Sequence, residues 1–327
     1  MAVPAVDPSN GLDADKRLPI ALITATKEDK VRSLARRNPI KAFLMVVYVW
    51  GGVAFALPLL SGIGLGVLPI DLPGVAPFVV LAAIGLAVAG FVVSRWLDER
   101  EGRAFRRRLF HLRVHPLWYL LALIGLPLTA LATVTVGQGT GPVRELSERP
   151  ELLALAIASA GAAFLLVNWW EEAGWTGFFL ERLQGQIGPV WASVVTTFAQ
   201  AVIHLPLFFI VDGVTSGRVA GDQIPLYLGL LFVLPIPVRM IITWIYNSTG
   251  RSVPVVGIFH AGLGVATGAD LVPAIAPDFE MLWVYAGFTV VGALVLVLTR
   301  GRLGYRPEQA EKFGRLRVGA AATPGEA

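Results

Sequence analysis

The sequence has no cysteine, which excludes disulfide frameworks, thiol nucleophiles, Cys-ligated zinc and iron–sulfur clusters. Charge is scarce as well. Asp, Glu, Lys and Arg make up 15% of the 327 residues, against roughly a quarter in an ordinary soluble domain. None of them lies between Lys41 and Asp71, between Asp71 and Arg95, or between Arg113 and Arg144. Uncharged apolar runs of that length are bilayer spans, so a soluble enzyme is excluded. There is no G-x-S-x-G elbow and no H-E-x-x-H pair, so a serine hydrolase and an ordinary zincin both lack their signatures. The first forty residues carry no apolar core of a cleavable signal, and the first span is expected to serve as its own insertion signal. No internal repeat supports a transporter built of inverted halves.

What is present is a chain of apolar stretches, each close to the length a membrane helix needs. They predict an all-α integral membrane protein of about eight transmembrane helices, over 42–62, 76–95, 116–137, 152–182, 189–211, 224–246, 252–270 and 281–299. Residues 1–41 form a polar, basic N-terminal segment, 42–299 the membrane domain, and 300–327 a basic tail expected to be disordered beyond Arg317. Lys and Arg gather in three places: eight up to Lys41, seven from Arg95 to Arg113, and six from Arg300 to Arg317. With both termini cytoplasmic, every loop obeys the positive-inside rule. A multi-pass protein of the plasma membrane is expected.

The net charge of +4 and pI near 9.6 reflect those clusters, which meet anionic lipid rather than nucleic acid. The segment Glu99–Arg113 carries Phe105, Leu109, Phe110 and Leu112 among its arginines and is expected to lie along the membrane interface. His111 and His115 are expected there as lipid-surface residues. Trp169, Trp170 and Trp175 are expected to pack or to belt the interface. Pro235 and Pro237 are expected to kink the sixth span.

An ionisable side chain inside hydrocarbon costs a few kcal/mol, so those retained within spans are functional candidates. They are Glu171, Glu172, His204, Arg239 and His260. The turn-forming Gly185-Gln186-Ile187-Gly188-Pro189 joins the fourth and fifth spans, and Glu171 and His204 are equidistant from its middle. An antiparallel helix pair would bring them to one depth, and His260, two turns into the seventh span, reaches the same layer. A Glu–His pair can activate water as a general base, or Glu171, His204 and His260 can ligate a divalent metal such as zinc whose bound water attacks. Hydrolysis of an amide is the simplest reaction, with a second imidazole available for the oxyanion.

These residues resemble a known family. Glu171-Glu172-Ala173-Gly174-Trp175-Thr176-Gly177-Phe178 resembles the E-E-x-x-W-R-G-F motif of the CAAX prenyl protease type II and bacteriocin-processing (CPBP, or Abi) intramembrane proteases. His204-Leu205-Pro206 is similar to the second motif. Thr243 to Ser252, followed by His260-Ala261-Gly262, looks like the third and fourth, in order and spacing. The resemblance covers about 150–270 and implies an eight-helix, glutamate-dependent fold. It also implies that Glu171 activates water together with His204, that His260 assists at the oxyanion, and that Glu172 is the supporting carboxylate. The substrate it implies is a membrane-associated peptide or protein.

Three positions depart from the pattern. The motif arginine is Thr176, the aromatic four residues before the second-motif histidine is Gln200, and the polar residue four after the last histidine is Gly264. Arg239 is expected to pair with Glu172 in place of the missing arginine. Asn247 is expected to support the site from the end of the sixth span, as a C-cap rather than a catalytic group. The departures also admit a catalytically impaired relative acting as a peptide- or protein-binding scaffold. Buried Glu, His and Arg would suit a small-solute or ion transporter too.

Overall fold

A computed structural model describes residues 32–307, except 34, 214–216, 218 and 269–270. The expectations for residues 1–31 and for the tail after 307 lie outside the described residues. Long apolar runs opened by proline in the first turn, where its missing N–H is not needed, give most of the helices. They are α1 (Pro39–Leu60), α2 (Ala76–Leu97), α3 (Glu99–Leu109), α4 (Pro116–Gln138), α5 (Gly141–Glu148), α6 (Glu151–Ala163), α7 (Trp169–Gly174), α8 (Glu181–His204), α9 (Ile224–Val233), α10 (Pro235–Ser248), α11 (Val253–Thr267), α12 (Val272–Ile275) and α13 (Met281–Leu298). The protein is an all-α, multi-pass integral membrane bundle. Among the described residues, seven helical stretches are long and apolar enough to cross a bilayer.

One of the seven, Glu151–Phe209, runs for 59 residues. Straight, it would measure about 90 Å, some three times the hydrocarbon thickness. It is not straight: Gly188 takes φ 77°, ψ 165°, just before Pro189, and the chain breaks at the predicted turn. Glycine is required there because an L side chain rarely adopts that φ. The stretch 224–248 is interrupted only in its hydrogen bonding, between α9 and α10, since Leu234 keeps helical φ −61° and ψ −35°. Pro235 and Pro237 have no N–H to give to the turn before them.

Packing fixes the helices that matter for the site. Phe43 of α1 stacks on Phe178 at 4.8 Å between centroids and meets Trp175 edge-on at 5.8 Å, anchoring the glutamate-bearing segment to the first span. Gly174 lies against α2 so closely that a Cβ would stand 2.8 Å from the Leu86 carbonyl oxygen. A Cβ on Gly257 of α11 would stand 3.2 Å from Trp169 Cα. Small residues permit such approaches between membrane helices, where dispersion replaces the hydrophobic effect as the driving force. The outer faces are apolar, with Val136 and Leu298 among the most exposed side chains, as lipid contact requires.

The basic segment turns part of its apolar face to protein. Asp98 caps α3 by accepting from the Glu101 amide at 2.7 Å. Phe105, Arg108 and Leu109 are buried in protein, and Arg182 Nη2 pairs with Glu101 Oε2 at 2.7 Å. Burial pushes the Glu101 carboxyl above its ordinary value, against the opposing pull of Arg182 and Arg108. The helix is therefore clamped to the bundle, and of the four apolar residues only Phe110 and Leu112 remain exposed. His111 is not a free surface residue either: its Nδ1 donates to the Gly250 carbonyl at 3.1 Å, and its own carbonyl accepts from Ser252 Oγ at 2.6 Å. His115 caps α4.

Candidate active site

The two glutamates sit on α7, a six-residue α-helix between two π-helical turns, Phe164–Asn168 and Trp175–Leu180. Each π turn widens the helix locally and rotates the residues beyond it, a device common at functional sites. The Gly257 contact with Trp169 and the meeting of His260 with Glu172 lie three residues apart on both helices. One close approach therefore sets the other.

Glu172 is fully buried and both its oxygens are engaged. Oε1 accepts from His260 Nδ1 at 2.8 Å. Oε2 accepts from Arg239 Nη1 at 2.8 Å and from the Thr176 hydroxyl. Glu171, also buried, stands 3.9 Å from His260 Nδ1 through its Oε2 and has no hydrogen bond among the described residues. The neighbouring glutamates thus differ in kind: Glu172 is saturated by donors, while Glu171 keeps lone pairs for a proton.

His204 ends α8, where Pro206 tightens the chain into the short 3₁₀ helix Leu205–Phe209. Its Nδ1 lies 2.8 Å from the Gln200 carbonyl. A carbonyl only accepts, so Nδ1 carries the proton and the neutral ring keeps its lone pair on Nε2. His204, His260, Gln200 and Arg239 line one cavity of about 140 Å³, with Leu231, Val238 and Ile242 among its apolar walls. Neither glutamate forms part of that wall: Glu172 bonds to His260 and Arg239, which do, and Glu171 stands beside His260.

Arg239 lies beside Glu172, as expected. It also contacts two of the three departures from the motif pattern: Nη1 donates to Thr176 Oγ1 at 3.0 Å and Nη2 to Gln200 Oε1. In the sequence alone, Thr176 and Gln200 stand only as losses. The i, i+4 spacing of Glu172 and Thr176 was the available signal, since it places a hydroxyl beside the carboxylate on one helix face.

Asn247 is neither a C-cap nor part of this group. It lies inside α10, and its Nδ2 donates to Gln184 Oε1 at 2.7 Å and to the Leu303 carbonyl at 2.9 Å. It ties the start of α8 to the segment after α13. A second buried ionic cluster near that end, with Arg251 Nε on Glu181 Oε2 at 2.8 Å beside the Arg182–Glu101 pair, was not anticipated. As for a metal, no three His, Asp or Glu side chains come together in a ligating group among the described residues. His260 Nδ1 is already committed to Glu172.

A family model described as type II CAAX prenyl endopeptidase Rce1-like matches residues 153–266, the stretch that carries both glutamates, Arg239 and both histidines. The chain is distantly similar to the CAAX prenyl proteases. The CAAX prenyl protease 2 of Methanococcus maripaludis is 26% identical over 235 residues, covering 69% of this chain and 80% of that protein. The CAAX-type match and the buried Glu–His–Arg network occupy the same helices.

Proposed function

We propose that this protein is an intramembrane endopeptidase of the CAAX type II kind, hydrolysing a peptide bond in a membrane-associated peptide or protein. The observation that carries this is the convergence of Glu171 and Glu172 on His260, with His260 and His204 lining one small cavity. The chain would cross the plasma membrane eight times, the break at Gly188 dividing the fourth span from the fifth, with both termini cytoplasmic. No residue of α9 is buried, yet its Leu231 lines the cavity, which supports entry of substrate from that side.

In the reaction, Glu171 takes a proton from water, assisted by the lone pair on His204 Nε2. The hydroxide oxygen bonds to the amide carbon and the carbonyl electrons move to oxygen. His260, when doubly protonated, offers its Nε2–H to that oxyanion, with Glu172 as its counter-charge. Collapse breaks the C–N bond, and the amine leaves with the proton first taken from water. Glu172, Thr176 and Arg239 hold the imidazole and do not exchange protons with substrate. Were a divalent metal to supply activated water instead, Glu171, His204 and His260 would have to draw together to hold it, since they form no ligating group as they stand among the described residues; a chelator tests for it.

The test is cleavage of a peptide library by purified protein beside Glu171→Ala, His204→Ala and His260→Ala. Cleavage by the parent and its loss in the variants is expected; no cleavage by the parent, or equal cleavage by all four, overturns the proposal. A second reading, a non-catalytic scaffold, is favoured by Gly264, which offers no side-chain donor near the expected oxyanion. It predicts peptide binding without cleavage. A transporter would instead show ion-dependent uptake into vesicles.

A further inference from the structure

We infer that Thr176, Gln200 and Arg239 act as one positioning unit that fixes, through Glu172, which nitrogen of His260 carries the proton in the neutral ring. The three residues come from three parts of the chain, and Arg239 is 67 positions from Glu172. Its guanidinium is divided among them: Nη1 to Glu172 Oε2 at 2.8 Å and to Thr176 Oγ1 at 3.0 Å, Nη2 to Gln200 Oε1.

The donors and acceptors run one way. Arginine has only donors, so Gln200 must turn its amide oxygen toward Nη2 and Thr176 must accept from Nη1. The Thr176 hydroxyl then has its own hydrogen free for Glu172 Oε2, the contact it makes. Glu172 thus receives a cation and a hydroxyl on one oxygen while fully buried, an environment that satisfies a carboxylate and leaves a carboxylic acid with no acceptor for its proton on that side. An ionised Glu172 can only accept at Oε1. His260 Nδ1, 2.8 Å away, must therefore be the protonated nitrogen, and the lone pair falls on Nε2.

A protonated Glu172, or a glutamine in its place, would donate to Nδ1 and move the ring proton to Nε2. The unit therefore decides whether His260 can take a second proton on Nε2 and meet the oxyanion as an imidazolium balanced by Glu172, or only as a neutral N–H donor. Thr176 and Gln200, unrelated departures in the sequence, become the two neutral anchors of one relocated cation. The effect on rate rests on the peptidase proposed above; the tautomer does not.

The experiment is nitrogen-15 NMR of the full chain, labelled at histidine, in detergent at a pH where the rings are neutral. With four histidines in the sequence, His260 is assigned by the loss of its signal in His260→Gln. The parent is expected to show the Nδ1–H form of His260. Arg239→Gln and Glu172→Gln are expected to shift it toward Nε2–H, and Arg239→Gln to lower kcat about 10²-fold or more at unchanged KM. If Arg239→Gln does not fold, the double variant Thr176→Val, Gln200→Leu decides the matter. It keeps the guanidinium but removes both neutral anchors, and a partial shift toward Nε2–H is expected.

An Nε2–H form in the parent, or an unchanged Nδ1–H form in either folded variant, overturns the inference. A parent that cuts no peptide but shows these shifts overturns the proposed function and leaves the inference standing; a parent that cuts peptide with an unchanged tautomer in the variants does the reverse.

Discussion

Arg239 Nη1 of α10 and Glu172 Oε2 of α7 lie 2.8 Å apart, both side chains almost wholly removed from solvent. A buried ion pair is weak evidence for net stability, because desolvation offsets most of the attraction. Removing one partner is another matter, since the charge left behind has no water to turn to.

Arg239→Met is therefore expected to destabilise the protein by about 3–5 kcal/mol. The double variant Arg239→Met, Glu172→Leu should recover most of that loss while remaining inactive, because His260 has lost its partner. Thermal unfolding of the three proteins in one detergent checks this. Equal midpoints for the parent and the single variant would show that the pair carries no uncompensated charge.

Gly257 sets the distance between α11 and α7. A Cβ there would stand 3.2 Å from Trp169 Cα and 3.2 Å from Phe164 Cε2, and backbone cannot yield as a flexible side chain can. Gly257→Val should push the helices apart and lengthen the His260–Glu172 contact. Peptide cleavage should fall about 10²-fold while the protein still runs as a folded monodisperse species on size exclusion. Unimpaired cleavage would show that this approach does not position His260.

Gly264 is the opposite case. Nothing lies within 4 Å of the position its Cβ would take, and it sits on α11 one turn beyond His260. Gly264→Asn is expected to fit without displacement and to supply an amide donor. If the missing donor limits the parent, kcat should rise about 10-fold or more, within the roughly 10²- to 10³-fold that one oxyanion donor contributes. Steady-state kinetics on a peptide the parent cuts would check it, and a fall in kcat would contradict it.

Asn247 belongs to structure. Asn247→Ala should cost about 1–3 kcal/mol, the loss of partners for the buried Gln184 oxygen and Leu303 carbonyl, with kcat and KM unchanged. A selective fall in kcat would return it to the site.

The membrane architecture was legible because charge in this chain is informative by its scarcity. The uncharged runs from Lys41 to Asp71, Asp71 to Arg95 and Arg113 to Arg144 mark helices, and the Gly188–Pro189 pair marks the break between two others. The depth match of Glu171 with His204 about that turn is an expectation from helix length alone; the side chain that the structure brings to Glu171 is His260. What the sequence could not display was contact between side chains far apart along the chain. Thr176 and Gln200 looked like deletions of function, since their shared partner enters from α10. The π turns around α7 were hidden as well, because a single extra residue in a helical turn leaves no compositional trace. The protein contacts of α3 were hidden because a basic amphipathic helix presents the same pattern whether its apolar face meets lipid or protein. The burial of Phe105 and Leu109 and the Arg182–Glu101 pair show the contact with protein.

Glu171 decides the central claim. Purified parent and Glu171→Gln, equal in fold and in thermal midpoint, are compared for hydrolysis of a membrane-anchored peptide library, with and without a chelator. A glutamate-dependent peptidase predicts cleavage by the parent and a loss of at least about 10²-fold in the variant. Equal cleavage by the two proteins, or none by the parent, would contradict it.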